Sequence, residues 1–369
     1  MFGNYYSKKR ILLTGHTGFK GSWLGLWLKH LGAEVCGVGF EAPTVPSFYE
    51  LLGSSVFEHE VKGDIRSAKT VERALNEGQP DLVFHLAAQS LVRRSYEEPL
   101  ETFETNALGT AQLLEVIRRR GLPCAIVVVT SDKCYENQPE HPPYGESDAL
   151  GGHDVYSASK AASELVVQAW RRSFFIPNAD LGNLASARAG NVIGGGDYAQ
   201  DRIVPDCIRA LLANRPIPVR QPRATRPWQH VLDCLSGYLW LGSCLAQAGK
   251  DSPLAAPFNF GPDPNANRSV GELVDEILRL WPGEWQDASD PQAPHEAGQL
   301  NLSLEKANRV LQWFPTWDFP EAVRRTIDWY RKRHLDRSPD MIGFSLDQIE
   351  AYTTAARQKR NAWALDVER

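Results

Sequence analysis

Tyr156 and Lys160 stand four residues apart in Tyr156-Ser157-Ala158-Ser159-Lys160, at the head of an amphipathic stretch whose period predicts a helix to about Phe174. Residues four apart share a helix face, so the phenol and the ammonium point into one space. A neighbouring cation stabilises phenolate, and the positive ring of an oxidised cofactor adds to that, lowering the phenol pKa toward working pH, which suits Tyr156 to act as general base for a hydroxyl undergoing oxidation. Upstream, the strongly strand-like run Cys124–Val129 ends in Thr130-Ser131-Asp132-Lys133. The Ser131 hydroxyl can hydrogen-bond the same alcohol. Asp132 and Lys133 add an acid and a potential base that simple alcohol oxidation does not need. A solvated Asp-Lys turn is the bland alternative, and the place of the pair argues against it, since open α/β sheets put chemistry at the carboxyl ends of strands.

Oxidation needs an acceptor, and the chain opens with a cradle for one. Ile11-Leu12-Leu13 reads as a buried strand, Ser22–Leu28 as an apolar helix, and between them lies Thr14-Gly15-His16-Thr17-Gly18-Phe19-Lys20-Gly21. Gly15 and Gly18 leave no Cβ where the chain turns sharply and where backbone must approach a pyrophosphate, and Gly21 lets the helix pack closely on its strand. The helix N-terminus offers free N–H groups to the anion. A second strand, Ala33–Phe40, ends at Glu41, twenty residues beyond Gly21. A carboxylate there accepts from both ribose hydroxyls and repels a 2′-phosphate, so the spacing favours NAD over NADP. A loop acid ahead of Pro43 is the alternative reading of Glu41.

The elements that position these groups alternate. A polar helix near Ser67–Glu77 leads to the strand-like run Asp81–Ala88, whose small terminal residues Ala87 and Ala88 let a cofactor lie against backbone. A long helix, about Leu100–Arg120, carries Asn106 in its middle. Alternation continues to about residue 193 and predicts a doubly wound parallel (Rossmann) sheet. Beyond it the pattern turns irregular and rich in Pro, Gly and Arg, as befits a smaller C-terminal α/β substrate-binding lobe. The expected division is an NAD-binding domain over residues 1–190 with segments near 226–262 returning to it, a substrate lobe over 191–340 and a polar tail over 341–369. Within the second half, helices are predicted near Ile203–Ala213, Val231–Ala246, Val270–Leu280, Glu305–Gln312 and Glu321–Arg333, with another from Leu346, and Trp281–Gly298 reads as a surface loop.

Bulk properties exclude several classes. With 369 residues, 43% of them hydrophobic and a net charge of -5, the chain is globular and too long for one small domain. The acidic balance argues against a nucleic-acid surface, so an anionic ligand must be met by local arginines. Six cysteines form no CxxC pair and several sit in apolar runs, which suits a reducing cytoplasm. The nine histidines show no metal-ligand spacing, so no metal is expected. Neither a signal peptide nor a membrane span is expected, because Leu235–Ala248, the most apolar helix candidate, is too short and broken by Gly237 and Gly242.

These residues bring a family into view. Through the glycine motif, Asp64-Ile65, Ala87-Ala88, YxxxK and Arg188-Ala189-Gly190-Asn191-Val192, the chain resembles the extended short-chain dehydrogenase/reductases that act on nucleotide-sugars, over nearly its whole length. The triplet Ser131-Asp132-Lys133, Gly194-Gly195-Gly196-Asp197, Arg226-Pro227-Trp228-Gln229-His230-Val231 and Pro294-His295-Glu296-Ala297 look, more narrowly, like the members that dehydrate CDP-glucose.

The resemblance implies a cycle in which Tyr156 takes the C4 hydroxyl proton, NAD holds the C4 hydride and returns it to C6, and Asp132 protonates the departing C6 hydroxyl. Lys133 either removes the C5 proton or stabilises the enolate; related dTDP-glucose enzymes carry glutamate at this place. Implied cofactor contacts are Gly15, Thr17, Gly18, Phe19, Lys20, Gly21, Glu41, Asp64, Ile65, Ala87, Ala88, Asn106, Thr130, Tyr156 and Lys160. Implied substrate contacts are Arg188, Asn191, Arg202, Arg226, His230 and Glu296, with Arg202, Arg226 and Asn191 at the pyrophosphate and ribose. Ser303 departs from the Asp usual in the family's LDxxKA segment. A homodimer or homotetramer is implied, joined through the Leu100–Arg120 and Tyr156–Phe174 helices. A 4-epimerase needs only Ser131, Tyr156, Lys160 and NAD, so Asp132 and Lys133 speak for dehydration. A non-catalytic NAD-binding regulator on the same fold is the reading from another class.

Overall fold

The computed structural model describes residues 1–138, 141–250, 252–290 and 300–365. Its first half alternates strand and helix: β1 Arg10–Thr14, α1 Phe19–His30, β2 Glu34–Gly39, β3 His59–Lys62, α2 Ala68–Gly78 and β4 Leu82–His85. Helical turns Pro99–Phe103, a π turn Glu104–Leu108 and α3 Gly109–Arg120 follow, then β5 Ala125–Val129, α4 Val155–Trp170 and β6 Leu184–Arg188. The last strand of the main sheet, β7 Pro257–Asn259, comes after α5 Ile203–Leu212 and α6 Val231–Gln247.

Seven parallel strands stand in the order β7-β6-β5-β4-β1-β2-β3. Both faces are covered, so the strands read as unbroken apolar runs; all five residues of β5 are buried. Alternate side chains serve two cores. Leu12, Ile126 and Val128 face the α2, α3 and α4 side, while Ile11, Leu13, Val127 and Val129 face α1, α6 and the C-terminal helices. Strand order reverses between β1 and β4, and the crevice at their carboxyl ends lies beside Gly15 and Ala87.

The C-terminal half continues with α7 Val270–Leu280, α8 Phe319–His334 and α9 Met341–Gln358. Two outcomes differ from the sequence reading. Trp285–Asp287, inside the expected surface loop, forms a strand parallel to Ile217–Val219, with the Trp285 indole donating to Asp275. The expected polar tail packs one face into the core: Met341, Ile349 and Tyr352 are buried, and Trp363 stacks on Phe2 with 4.8 Å between centroids. No helix among the described residues is long and apolar enough to cross a membrane. A cavity of about 1310 Å³ opens at the amino ends of the strands among Arg10, Asp81, Asn183 and Lys250, and no predicted site residue lines it.

Candidate active site

The glycine turn is fixed by close backbone contacts. Gly15 has φ +73°, and a Cβ there would sit 2.8 Å from the Ala87 nitrogen. At Gly21 a Cβ would sit 2.1 Å from the Gly15 carbonyl oxygen. At Gly18, the N-cap of α1, a Cβ would meet nothing in the chain nearer than 3.4 Å, so within the protein its absence leaves space. No side chain caps this helix and its first turn holds no acid. Space at Gly18, free N–H groups and the close β1–β4 approach fit a dinucleotide pyrophosphate. Thr14 joins the two strands, accepting from Ala87 N at 3.1 Å and bonding His85 at 2.7 Å.

The catalytic candidates converge at the carboxyl end of β5. Ser131 caps the single 3-10 turn Asp132–Cys134, its oxygen accepting from Lys133 N at 3.2 Å. Its hydroxyl donates to Asp132 Oδ1 at 3.0 Å and lies within hydrogen-bonding reach of the Tyr156 phenol. Asp132 is buried, Lys133 half-buried. Asp154 caps α4, accepting from Ser157 N at 2.9 Å and Ser157 Oγ at 2.7 Å, and this holds Tyr156 in the first helical turn. Tyr156, Lys160 and Glu164 then line one face, all buried.

Within the chain alone, burial opposes the lowered phenol pKa expected for Tyr156, an expectation that also counts the positive ring of an oxidised cofactor. Burial is the dominant cause and pushes the phenol up to about 12; Ser131 and Arg202 pull it down, while Asp132 and Asp154 push it further up. Lys160 falls to about 8, first because it is buried and second because Lys20 stands nearby. Desolvation is the leading cause of both shifts within the chain itself.

Two expected substrate residues take other roles. Arg188 donates to Glu164 at 2.8 Å and to Tyr135 Oη at 2.7 Å, and both charged side chains are 3% exposed. Glu164 also accepts from Thr130 and Ser186, so the pair braces the floor beneath Ser131. His230 is fully buried against Trp23 and Trp317, and its Nδ1 accepts from Leu232 N to cap α6. Burial drives it down to about 3, and it stays neutral.

The other predicted residues are placed as follows. Arg202 is partly exposed, paired with Asp197 at 2.9 Å and bonded to Ser90 at 3.2 Å. Arg226 lies in a short strand pair with Arg268 as its partner. Asn191, at φ +52°, donates to Asp132 Oδ2 at 3.0 Å. Asn106 lies in the π turn, bonded to Gln89 and to Ser159 Oγ at 2.8 Å, and ties that turn to α4. Glu41 is exposed and paired with Lys62; Asp64 is held by Arg66. Glu296 lies outside the described residues. Glu164 and Gln229 were not singled out from sequence, although Glu164 continues the spacing of Tyr156 and Lys160 by one more helical step.

Comparison with known proteins places this geometry. The model of the GDP-mannose 4,6-dehydratase family matches residues 12–256. The chain belongs to that family. A Salmonella typhimurium protein, CDP-glucose 4,6-dehydratase, is 43% identical over 357 residues, covering 95% of this chain and 98% of its own. A dTDP-glucose 4,6-dehydratase of Xanthomonas campestris is 29% identical, covering 86% of this chain and 92% of that one. Among solved structures, the dTDP-glucose 4,6-dehydratase DesIV of Streptomyces venezuelae, with NAD and TYD bound, has TM-score 0.74 and 26% identity, covering 88% of this chain and 98% of that one. A Thermus thermophilus UDP-glucose 4-epimerase with NAD has TM-score 0.72 and 25% identity, covering 87% and 99%.

Proposed function

We propose that the protein is an NAD-dependent CDP-glucose 4,6-dehydratase, converting CDP-glucose to CDP-4-keto-6-deoxy-glucose and water. The observation that carries this is Asp132 and Lys133 beside Ser131 at the end of β5, next to Tyr156 and Lys160. An acid and an amine stand where oxidation alone needs neither. The choice of CDP-glucose rests on the 43% identity to the Salmonella typhimurium protein.

Tyr156 Oη, as the phenolate that the positive nicotinamide ring of bound NAD would favour, takes the C4 hydroxyl proton while Ser131 holds that oxygen. The turn at Gly15, Gly18 and Gly21 would hold NAD, which would supply the acceptor for the C4 hydride and the donor that returns it to C6. The 4-keto group acidifies the C5 proton, and Lys133 Nζ in its neutral amine form takes it, exchanges it with solvent and returns a proton to C5 as the hydride reaches C6. Asp132 gives its proton to the C6 hydroxyl, so the C5–H and C6–O bonds break, C5=C6 forms and water leaves. Proton transfers of this kind contribute roughly 10²–10⁴-fold each. Arg202 and Arg226 meet the diphosphate oxygens, as guanidinium donors suit.

The assembly belongs to the same proposal. Leu100, Leu108 and Leu165 are 77%, 62% and 54% exposed on the Pro99–Arg120 and α4 helices, an apolar face suited to a second copy of the chain. Free cysteines and the small-molecule chemistry suit the cytoplasm.

Purified protein incubated with CDP-glucose in deuterated water tests the reading. A 4-keto-6-deoxy product carrying deuterium at C5, with no net NADH, is expected. Recovery of CDP-galactose makes the protein an epimerase, and unchanged substrate overturns the proposal.

A further inference from the structure

The Arg226–Val231 block matches the family, yet among the described residues Gln229 within it hydrogen-bonds to neither the glycine turn nor the Tyr156 helix. Its contacts run elsewhere. Gln229 is buried, and its main-chain N–H donates to the Asn191 carbonyl at 3.2 Å. Its side-chain Nε2 donates to the Gly190 carbonyl at 2.9 Å and to the Phe260 carbonyl at 3.2 Å. In the short parallel pair that follows, Gln229 stands opposite Val192. Both carbonyls of the Gly190–Asn191 step are therefore held by one residue.

That step encloses the Asp132 carboxyl. A Cβ at Gly190 would fall 2.0 Å from Asp132 Cγ, so the carboxyl packs directly on glycine backbone. Asn191, in the left-handed region that asparagine tolerates, donates to Oδ2 at 3.0 Å, while Ser131 donates to Oδ1 at 3.0 Å. The carboxyl plane is thus set from two sides, and the free lone pair of Oδ2 remains for the proton that the C6 hydroxyl takes. Gln229 Oε1 finds no partner among the described residues. A buried orphan acceptor is costly, whereas leucine of similar size would fill the place without that cost. Packing alone does not account for an amide here; its two donated bonds do.

We infer that Gln229, through the Gly190–Asn191 step it pins, is a positioning residue that aims the Asp132 carboxyl at the C6 hydroxyl during elimination. This rests on the dehydratase reading above. It separates Asn191 from the pyrophosphate contacts and gives the Arg226–Val231 block a part in the chemistry. Because the C4 oxidation uses Tyr156 and Ser131, the variants Gln229→Leu and Asn191→Ala should slow elimination and spare oxidation.

The test is single-turnover kinetics with CDP-glucose, following 340 nm absorbance, combined with steady-state kcat and KM and recovery of substrate from deuterated water. Each variant is expected to lose about tenfold or more in kcat with KM nearly unchanged. A 340 nm transient should build up and decay slowly, and recovered CDP-glucose should carry deuterium at C5. A raised KM with no transient overturns the inference and returns Asn191 to substrate binding. So does an unchanged kcat, or equal loss of oxidation and elimination. If Gln229→Leu fails to fold, Asn191→Ala, which leaves both pinned carbonyls in place, decides the matter. A wild-type protein that does not dehydrate CDP-glucose overturns the dehydratase reading and the inference with it, whereas an active wild type with unaltered variants overturns the inference alone.

Discussion

Replacing Arg188 by methionine distinguishes a buried brace from a substrate contact. Arg188 and Glu164 are each 3% exposed and 2.8 Å apart, and Tyr135, Thr130 and Ser186 add hydrogen bonds to them, while Arg188 Nε has no partner among the described residues. Taking away one member leaves the other charge buried without compensation, which costs roughly 3–5 kcal/mol. Against a total stability of about 5–15 kcal/mol, that is a large share. Arg188→Met and Glu164→Gln should each lower the urea midpoint sharply, read by fluorescence of the tryptophans. The double variant Arg188→Met/Glu164→Gln should fall well short of additive, because no lone charge remains; a coupling of several kcal/mol is expected. The sign with pH follows from the carboxyl. Burial raises its pKa, but Arg188 leads the groups that together hold it below the usual range. A lowered carboxyl pKa contributes stability that is present above the unfolded value and lost as pH falls through the folded one, so the deficit of Glu164→Gln should narrow in acid. An Arg188→Met protein with an unmoved urea midpoint and a raised KM for CDP-glucose would refute the reasoning and restore Arg188 to the substrate.

Lys160→Met should abolish turnover yet stabilise the fold near neutral pH. Burial and Lys20 depress Lys160 from 10.5 to about 8, so the native state bears a cost of up to about 3 kcal/mol below pH 8 that is relieved as pH rises toward 10.5; a variant less stable than wild type at pH 7 in urea contradicts this. Asp233→Asn should stabilise above pH 6 by up to about 3 kcal/mol and be neutral near pH 4, because burial raises this carboxyl from 3.8 to about 6 and the wild type loses stability across that interval. Its Oδ2 has no partner among the described residues, so the asparagine amide forfeits no bond there; equal urea midpoints at both pH values would contradict the assignment. Gly21→Ala should lose bound dinucleotide, since its Cβ would lie 2.1 Å from the Gly15 oxygen, and an NAD content equal to wild type would show that the turn can shift without harm.

What could be read from the sequence was local. Gly15 and Gly21 stand where backbone contacts demand them, and the Tyr156–Lys160 interval translates directly into one helix face because Asp154 starts the helix on time. What could not be read depended on partners far away in sequence. Arg188 looks like an anion contact until Glu164, from a different element, is seen to claim it; His230 looks reactive until Trp23 and Trp317 enclose it. The π turn Glu104–Leu108 interrupts a helix whose period gave no sign of it, and it is this extra residue per turn that carries Asn106 to Gln89 and Ser159. For Tyr156, spacing reports proximity of a cation but not the burial that opposes it within the chain.

The fold is shared with an epimerase at TM-score 0.72, so the sheet alone does not choose between inversion and dehydration. On the proposed reading the choice lies in a few atoms at the end of β5. Elimination needs an acid close to C6, and a carboxyl brought there must be housed without losing its orientation. Here the housing is an absence: Gly190 has no side chain, and any Cβ would occupy the Asp132 carboxyl itself. Gly190→Ala should therefore displace Asp132 while leaving Tyr156, Lys160 and the glycine turn in place. Oxidation without elimination is the signature of that change, and it would convert the site toward the simpler chemistry for which Ser131, Tyr156 and Lys160 suffice.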